Sequence, residues 1–228
     1  MSSINRLKES VERAKTALKE HTLYGKVQVI IKDKFLEPIN LDHVLKNIEN
    51  KVPQVFLTDL DILYIGDFPQ LKAKSVESAY MNGAIFVSNQ ILDDETLLKS
   101  IIHEVAHNVE SVFGMDVYGD HEIIDEFVNK RVALRKTLDS YKLFCDPRLY
   151  IQTEYSKVFD DFLYKTVGYD RLAQITTKLF ISPYAATSLR EYFANGFEHY
   201  FLDDNQKYLR NVSPHLFNKI NSLTLDLD

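Results

Sequence analysis

The stretch His103-Glu104-Val105-Ala106-His107 writes the pattern HExxH inside a segment that has the periodicity of a helix. Two histidines four residues apart lie on one face of a helix, so both imidazoles can bind a single metal ion. The glutamate between them can reach a metal-bound water and act as its general base. The stretch therefore predicts a metal centre that carries its own base.

The residues around this motif predict one amphipathic helix, from near residue 94 to about residue 112. Carboxylates at 93–95 are typical of a helix start, where they can cap the backbone and interact favourably with the positive end of the helix dipole. Apolar residues recur at about 100° per residue and form a stripe nearly opposite the histidines: Leu98, Ile101, Ile102, Val105 and Val109. A metal-binding pair in this setting is typical of metalloproteases. The alternative is two surface histidines on a solvated helix face, because so short a pattern also arises by chance.

A catalytic zinc site uses three protein ligands and keeps one position open, so a third ligand must come from elsewhere in the chain. We expect Glu191, on a second predicted helix that begins after Pro183 and is capped by Thr187 or Ser188. In the alternative, Ser188-x-x-Glu191 is a capping box, and the glutamate only satisfies a free backbone N–H. Three other carboxylates compete for the ligand role: Glu198, Glu122 and Glu126.

The block at 182–197 reads S-P-Y-A-A-T-S-L-R-E-Y-F-A-N-G-F. Together with HExxH, it resembles the zinc peptidases related to the C-terminal protease domain of anthrax lethal factor, a group that the clostridial Pro-Pro endopeptidases also resemble. In those families the glutamate that opens the E-F-F-A run is the third zinc ligand, and this position matches Glu191. The resemblance implies a zincin-like metallopeptidase fold.

The resemblance also implies the roles of individual residues in a zinc-dependent endopeptidase that acts on a protein or peptide substrate. His103, His107 and Glu191 would bind one Zn²⁺, which two imidazoles and one carboxylate favour. Glu104 would activate the water, and Tyr184, seven residues before Glu191, would hydrogen-bond the oxyanion of the tetrahedral intermediate. The alternative for Tyr184 is an ordinary buried tyrosine beside a turn.

The chain departs from this family between the HExxH motif and the block at 182–197. This stretch is longer than expected and predicts an inserted helical hairpin at about 118–180, with arms at 120–143 and 149–180. Pro-Pro specificity therefore cannot be transferred to this chain. Two alternatives to an active protease are a non-catalytic binding or assembly protein with the same fold, and a latent protease restrained by the hairpin or by the N-terminal helix.

Gly196 also departs from the family, because it stands inside the second predicted helix. Glycine in a helix interior costs about 1 kcal/mol relative to alanine. We expect this glycine to allow close packing against a neighbouring element.

Upstream of the metal helix, residues 78–87 predict a β-hairpin that turns at Asn82-Gly83. If 84–87 is the edge strand beside the cleft, it can bind an extended substrate by main-chain pairing. The candidate substrate-binding residues are then Gly83, Ala84, Ile85 and Phe86. The alternative is a simple core hairpin, and both can hold at once.

Composition and order of elements predict a single domain over residues 1–228, because the chain is 45% apolar and contains no linker or repeat. The segment before the metal helix mixes helices at 4–21 and 41–51 with strands at 26–32 and 60–65, and nearly all of the rest is helical. This order predicts the α+β class, with a small mixed sheet in an N-terminal lobe (about 1–115) and a helical C-terminal lobe (about 116–228).

Charge and hydropathy narrow the range of partners. The net charge is −6 and the lysines are scattered, which argues against a nucleic-acid partner. No run approaches about 20 successive apolar residues, so we expect no membrane span. The first residues lack an apolar stretch of the secretory type, so we expect a cytoplasmic protein. An origin in a phage or mobile element, with release by lysis, would fit. A single cysteine, Cys145, excludes an internal disulfide.

Overall fold

The computed structural model describes residues 21–203 and 206–226 and has the α+β class that the sequence predicts. The strands are β1 (His21–Leu23), β2 (Val27–Ile31), β3 (Ile62–Gly66), β4 (Ser78–Met81) and β5 (Ala84–Ser88). The α-helices are α1 (Leu41–Lys51), α2 (Pro69–Lys74), α3 (Asp94–Tyr118), α4 (Glu122–Ser140), α5 (Lys157–Asp161), α6 (Tyr169–Thr176), α7 (Leu189–Leu202), α8 (Lys207–Val212) and α9 (Pro214–Asp226).

The predicted helix at 4–21 lies outside the described residues, except for His21, which begins β1. The predicted helix at 41–51 is confirmed, and the strands predicted at 26–32 and 60–65 correspond to β2 and β3. No helix in the described part of the chain is both long enough and apolar enough to cross a membrane.

The sheet contains five strands in the order β1-β2-β3-β5-β4. Strands β2, β3 and β5 run parallel to one another, and the two edge strands β1 and β4 pair antiparallel to β2 and β5. Helix α3 packs across β4 and β5, so the buried side chains of the sheet meet the apolar stripe of this helix. This packing places the HExxH motif close to one edge of the sheet.

The hairpin predicted at 78–87 is confirmed. Asn82 and Gly83 have φ values of 51° and 76°, as a two-residue turn of the primed type requires. The condition that 84–87 is the edge strand is not met, because β5 lies between β3 and β4 and pairs with both. Its main-chain groups are therefore not free for a substrate, which removes the candidate set from the turn and strand: Gly83, Ala84, Ile85 and Phe86. The edge strand on this side of the sheet is β4.

Helix α3 begins at Asp94, as the sequence predicts. The Asp93 side chain caps it by accepting a hydrogen bond from the Thr96 N–H at 2.7 Å. It continues past the predicted end near residue 112. Phe113 departs from helical geometry, with φ −111° and ψ 25°, and the chain then resumes the helix as far as Tyr118. The predicted boundary thus falls at a kink rather than at the end of the helix.

The 118–180 segment is only partly the helical hairpin that the sequence predicts. Its first arm is one helix, α4. Its second arm is broken: a 3₁₀ turn (Pro147–Tyr150) precedes α5, and a π-helical stretch (Phe162–Gly168) separates α5 from α6. Gly168 has φ 84°, outside the helical region, so it interrupts the arm that periodicity alone predicts as continuous.

A continuous hydrophobic core links the sheet half and the helical half of the chain. The ring of Phe56, in the 3₁₀ turn Gln54–Leu57, packs edge-on against Phe197 of α7 with centroids 5.5 Å apart. Gly196 lies against Leu216 of α9, and a Cβ atom at this position would overlap the Leu216 side chain. The expectation of close packing at Gly196 is therefore confirmed.

Replacing Gly196 with alanine should destabilise the protein although alanine favours helices. Overpacking of a core contact typically costs about 1–3 kcal/mol, which exceeds the gain in helix propensity. The measurement is the free energy of unfolding from urea denaturation. Gly114→Ala is the matched control, because a Cβ at Gly114 meets nothing within 4 Å. Equal stability of Gly196→Ala and the parent would contradict the packing argument.

Candidate metal centre

Three ligand-type side chains meet where α3 packs against α7. His103 and His107 come from α3, and Glu191 comes from the first turn of α7. Their ligand atoms all lie within 4.8 Å of one another, with Glu191 Oε2 3.1 Å from His103 Nε2 and Oε1 3.7 Å from His107 Nε2. Ligand atoms of a tetrahedral zinc ion with bonds of about 2.0–2.1 Å are about 3.3 Å apart. The spacing of the cluster therefore fits one ion.

The outer nitrogen of each histidine lies against a further carboxylate. His107 Nδ1 lies 2.8 Å from Glu110 Oε2, and His103 Nδ1 lies 3.4 Å from Glu198 Oε2. A carboxylate at Nδ1 favours the proton on that nitrogen, so Nε2 is the nitrogen of each ring that can bind a metal ion. Glu198, a competitor for the ligand role by sequence, therefore lies behind His103. Glu110 was not predicted, although its i, i+3 spacing from His107 is the signal that would have identified it.

Glu110 is itself held by two neighbours. It accepts a hydrogen bond from the Tyr118 hydroxyl, and Arg190 Nε lies 3.5 Å from its Oε2. Burial, and then the negative charge of Glu110, raise the pKa of Tyr118 well above its usual value, so this phenol stays a donor. Arg190 precedes the cluster glutamate in sequence and adds a positive charge beside it. The support of His107 thus extends to both helices.

The capping alternative for Glu191 is resolved by the position of its two polar groups. The Glu191 N–H donates to Ser188 Oγ at 3.2 Å, so Ser188 caps α7 as one of the two predicted cap residues. The Glu191 carboxylate points to the histidines instead of to the cap. The remaining competitors lie elsewhere, since Glu126 accepts from the Tyr192 hydroxyl and Glu122 lies 3.3 Å from His215 Nδ1.

The charges of the cluster compensate one another. Burial alone would lower the pKa of His103, but its hydrogen bonds to Glu191 and Glu198 outweigh burial and raise this pKa to about 10. Burial opposes ionisation of Glu191, but the hydrogen bond from His103 holds the pKa of this carboxyl below its usual value. Without a metal, His103 is therefore the cation that balances Glu191. A divalent cation would replace that proton.

The side chain of Glu104 lies between the cluster and the edge of the sheet, and the residue is only 4% exposed. Its Oε1 accepts a hydrogen bond from Ser78 Oγ at 2.7 Å, and its Oε2 accepts one from the Tyr80 N–H at 2.7 Å. Both donors belong to β4. Ser78 and Tyr80 were not predicted as site residues, because no local pattern connects them to the motif helix.

Tyr184 lies in a 3₁₀ turn (Tyr184–Ala186) just before α7. The turn is closed by the Thr187 hydroxyl, which donates to the Tyr184 carbonyl at 2.8 Å. The residue is 36% exposed, so Tyr184 is not a fully buried tyrosine. Burial, followed by the negative charge of Glu191, raises the pKa of its phenol, which therefore remains protonated at neutral pH. Tyr184 is thus a neutral donor beside the cluster.

The beginning of α7 is anchored to the 118–180 segment. The Leu189 N–H donates to the Thr153 carbonyl at 2.8 Å. Arg131 of α4 is fully buried, and its guanidinium donates to the Thr187 carbonyl at 3.2 Å and to the Leu149 carbonyl. The segment that carries Tyr184 and Glu191 is therefore held from α4 as well as by its own cap.

A scan against protein-family models, a search of curated proteins and a search of solved structures each find no match to this chain. Two imidazoles and one carboxylate, each imidazole backed by a further carboxylate, form a donor set that could hold a metal ion.

Removing the carboxylate behind His107 should weaken metal binding without removing a ligand. Glu110→Gln is expected to lower zinc affinity by about 10- to 100-fold, because the amide orients and polarises the imidazole less well. The measurement is competition with a chromogenic chelator. Glu122→Gln on α4 is the control, since Glu122 lies outside the cluster. Unchanged affinity in Glu110→Gln would contradict the proposed support.

Zinc binding should release about one proton at neutral pH, because His103 must lose the proton that its raised pKa retains. Below this pKa the affinity should therefore rise with pH, by about tenfold per unit for one proton. Calorimetry in two buffers of different ionisation enthalpy measures the number released. Glu198→Gln should release less, because it removes one of the hydrogen bonds that raise the pKa. A parent protein that releases no proton would show that His103 is already neutral.

Proposed function

We propose that this protein is a zinc-dependent endopeptidase of the zincin type, similar to the lethal-factor-related peptidases that its motifs resemble. One observation carries the proposal: His103, His107 and Glu191 converge from two helices with Nε2 and carboxylate oxygens at metal-ligand spacing. Glu104 follows His103 directly and is positioned by β4. A ligand set accompanied by a base is what hydrolysis requires, whereas a structural metal site needs no base.

The three cluster residues would hold the zinc ion, which when bound supplies Lewis acidity for peptide hydrolysis. Glu104 takes the proton from the attacking water and passes it to the leaving amine. The two hydrogen bonds from β4 fix the carboxylate of Glu104, and each of its oxygens retains a lone pair for this exchange. Tyr184 donates its phenolic proton in a hydrogen bond to the oxyanion of the tetrahedral intermediate.

Edge strand β4 is the proposed binding site for the substrate main chain. The Ser88 N–H donates to the Glu77 carbonyl at 2.7 Å, so in this antiparallel pair the main-chain groups of Ser78 and Tyr80 face the open edge. The Tyr80 N–H already donates to the Glu104 carboxylate. The remaining groups of Ser78 and Tyr80 can pair with an extended peptide. The substrate main chain would then lie directly beside Glu104.

Replacing Glu104 with glutamine should abolish hydrolysis while zinc binding is retained. Loss of a general base typically costs about 10²–10⁴-fold in rate. The measurement is mass-spectrometric cleavage profiling of a diverse peptide library with the zinc-loaded parent and with Glu104→Gln. Asp161→Asn, on the exposed side of α5, serves as an active control.

Cuts made by the parent and the control, but not by Glu104→Gln, are the expected result. Identical cuts in all three proteins would contradict the assignment of Glu104. Stoichiometric zinc without any cut by the parent would favour the alternative, a non-catalytic or latent binding protein with the same fold.

A further inference from the structure

Lys99 lies beside the cluster on the His103 side. It stands one helical turn before His103 on α3, and residues four apart share a face of a helix. Its Nζ lies 3.3 Å from Glu198 Oε1, and Glu198 Oε2 lies 3.4 Å from His103 Nδ1. One carboxylate therefore separates this ammonium group from the ring of His103.

Arg190 has the corresponding position on the His107 side. Its Nε lies 3.5 Å from Glu110 Oε2, and the same oxygen lies 2.8 Å from His107 Nδ1. The two ion pairs are reciprocal, because Lys99 of α3 meets a carboxylate of α7, whereas Arg190 of α7 meets a carboxylate of α3. A cation thus stands at each end of the cluster.

The positive charges of these pairs are exposed, and the negative charges are largely buried. The side chains of Lys99 and Arg190 are 59% and 57% exposed, whereas those of Glu198 and Glu110 are 14% and 7% exposed. Within the described part of the chain, each cation has one carboxylate within ion-pair distance. An ammonium group and a guanidinium group each carry several N–H donors, so both cations retain donors for a further carboxylate. A peptide that approaches the cluster from solvent therefore meets two cations.

The spacing of the two cations matches a short stretch of extended peptide. Residues 99 and 110 of α3, which mark the two ion pairs, are about 16 Å apart along the helix axis at about 1.5 Å per residue. An extended peptide covers that distance with about five residues, at about 3.3 Å each. Side chains within about two or three residues of a scissile bond at the cluster are therefore at the right distance to meet a cation.

We propose that Lys99 and Arg190 select substrates that carry aspartate or glutamate close to the scissile bond. The proposal rests on the proposed function, because it assigns a specificity to the same centre. Each cation attracts a substrate carboxylate and repels a lysine or arginine at the same position. Ion pairs with one exposed partner contribute little to stability, so Glu198 and Glu110 leave both cations able to share their donors with a substrate.

The test uses octapeptides of alanine, glycine and serine in which glutamate, glutamine or lysine occupies each position in turn. Cleavage by the zinc-loaded parent is measured as kcat/KM at low ionic strength, because salt screens exposed charges. At one or more positions, glutamate should exceed the isosteric glutamine by about tenfold, and lysine should be the poorest. Binding of the same peptides to zinc-loaded Glu104→Gln is measured by calorimetry.

Lys99→Gln and Arg190→Gln should each lower the ratio of glutamate to glutamine peptides, and the double variant should bring it to near one. The ratio is taken within each variant, so a general loss of activity cancels. Zinc content and thermal denaturation establish that each variant is loaded and folded. Lys72→Gln is the matched control and should retain the ratio, because Lys72 of α2 is 58% exposed and pairs with Asp67 at 2.7 Å, outside the cluster.

The outcomes separate this specificity from the catalytic proposal. Cleavage without a preference for glutamate, a preference that survives the double variant, or a preference that is lost equally in Lys72→Gln overturns the specificity and leaves the peptidase proposal standing. Absence of cleavage, with binding of glutamate peptides to Glu104→Gln that the two further substitutions remove, overturns the peptidase and supports the two cations as a binding site. Absence of both cleavage and binding overturns both.

Discussion

The arrangement around His103, His107 and Glu191 depends on how buried charges are satisfied where α3 packs against α7. A carboxylate taken away from water is unfavourable unless a cation or hydrogen-bond donors lie against it. Glu191 meets the inner nitrogens of both motif histidines, and Glu198 and Glu110 meet the outer nitrogens. Each imidazole is therefore fixed from two sides. The aromatic packing of Phe56 on Phe197 keeps the two halves of the chain together beneath this cluster.

The same requirement connects the cluster to the sheet. Glu104 is nearly buried, and its carboxylate is satisfied by donors from β4, one of which is a main-chain N–H. Only an edge strand has such a group to spare, because an interior strand such as β5 uses its main chain on both sides. The position of β4 at the edge thus provides donors for Glu104 and leaves other main-chain groups unpaired beside it. The edge position of β4 thus accounts both for the orientation of Glu104 and for the open main-chain groups beside it.

Short-range chemistry made much of the fold predictable from the sequence. The caps at Asp93 and Ser188 and the turn at Asn82-Gly83 are encoded by neighbouring residues, and all three are found where the sequence predicts them. The order of strands depends on pairing between β3 and β5, which are distant in the chain, so the sequence left open whether 84–87 lies at the edge of the sheet or inside it. The partners of Glu104 come from β4 and carry no local signal. The prediction of a continuous helical arm at 149–180 was wrong for another reason. Helical periodicity does not reveal that Gly168 leaves the helical region.

The buried guanidinium of Arg131 bears on how the chain can be divided into parts. Arg131 lies over the Phe159 ring, 4.0 Å from its centroid, and donates to carbonyls on both sides of the junction between the 118–180 segment and α7. Burial lowers its pKa to about 10, so it remains charged at neutral pH. Excising the segment would remove the anchor of the chain that carries Glu191. The segment belongs to the scaffold and is not a detachable module, and a shorter protein with this cluster would have to secure the start of α7 by different contacts.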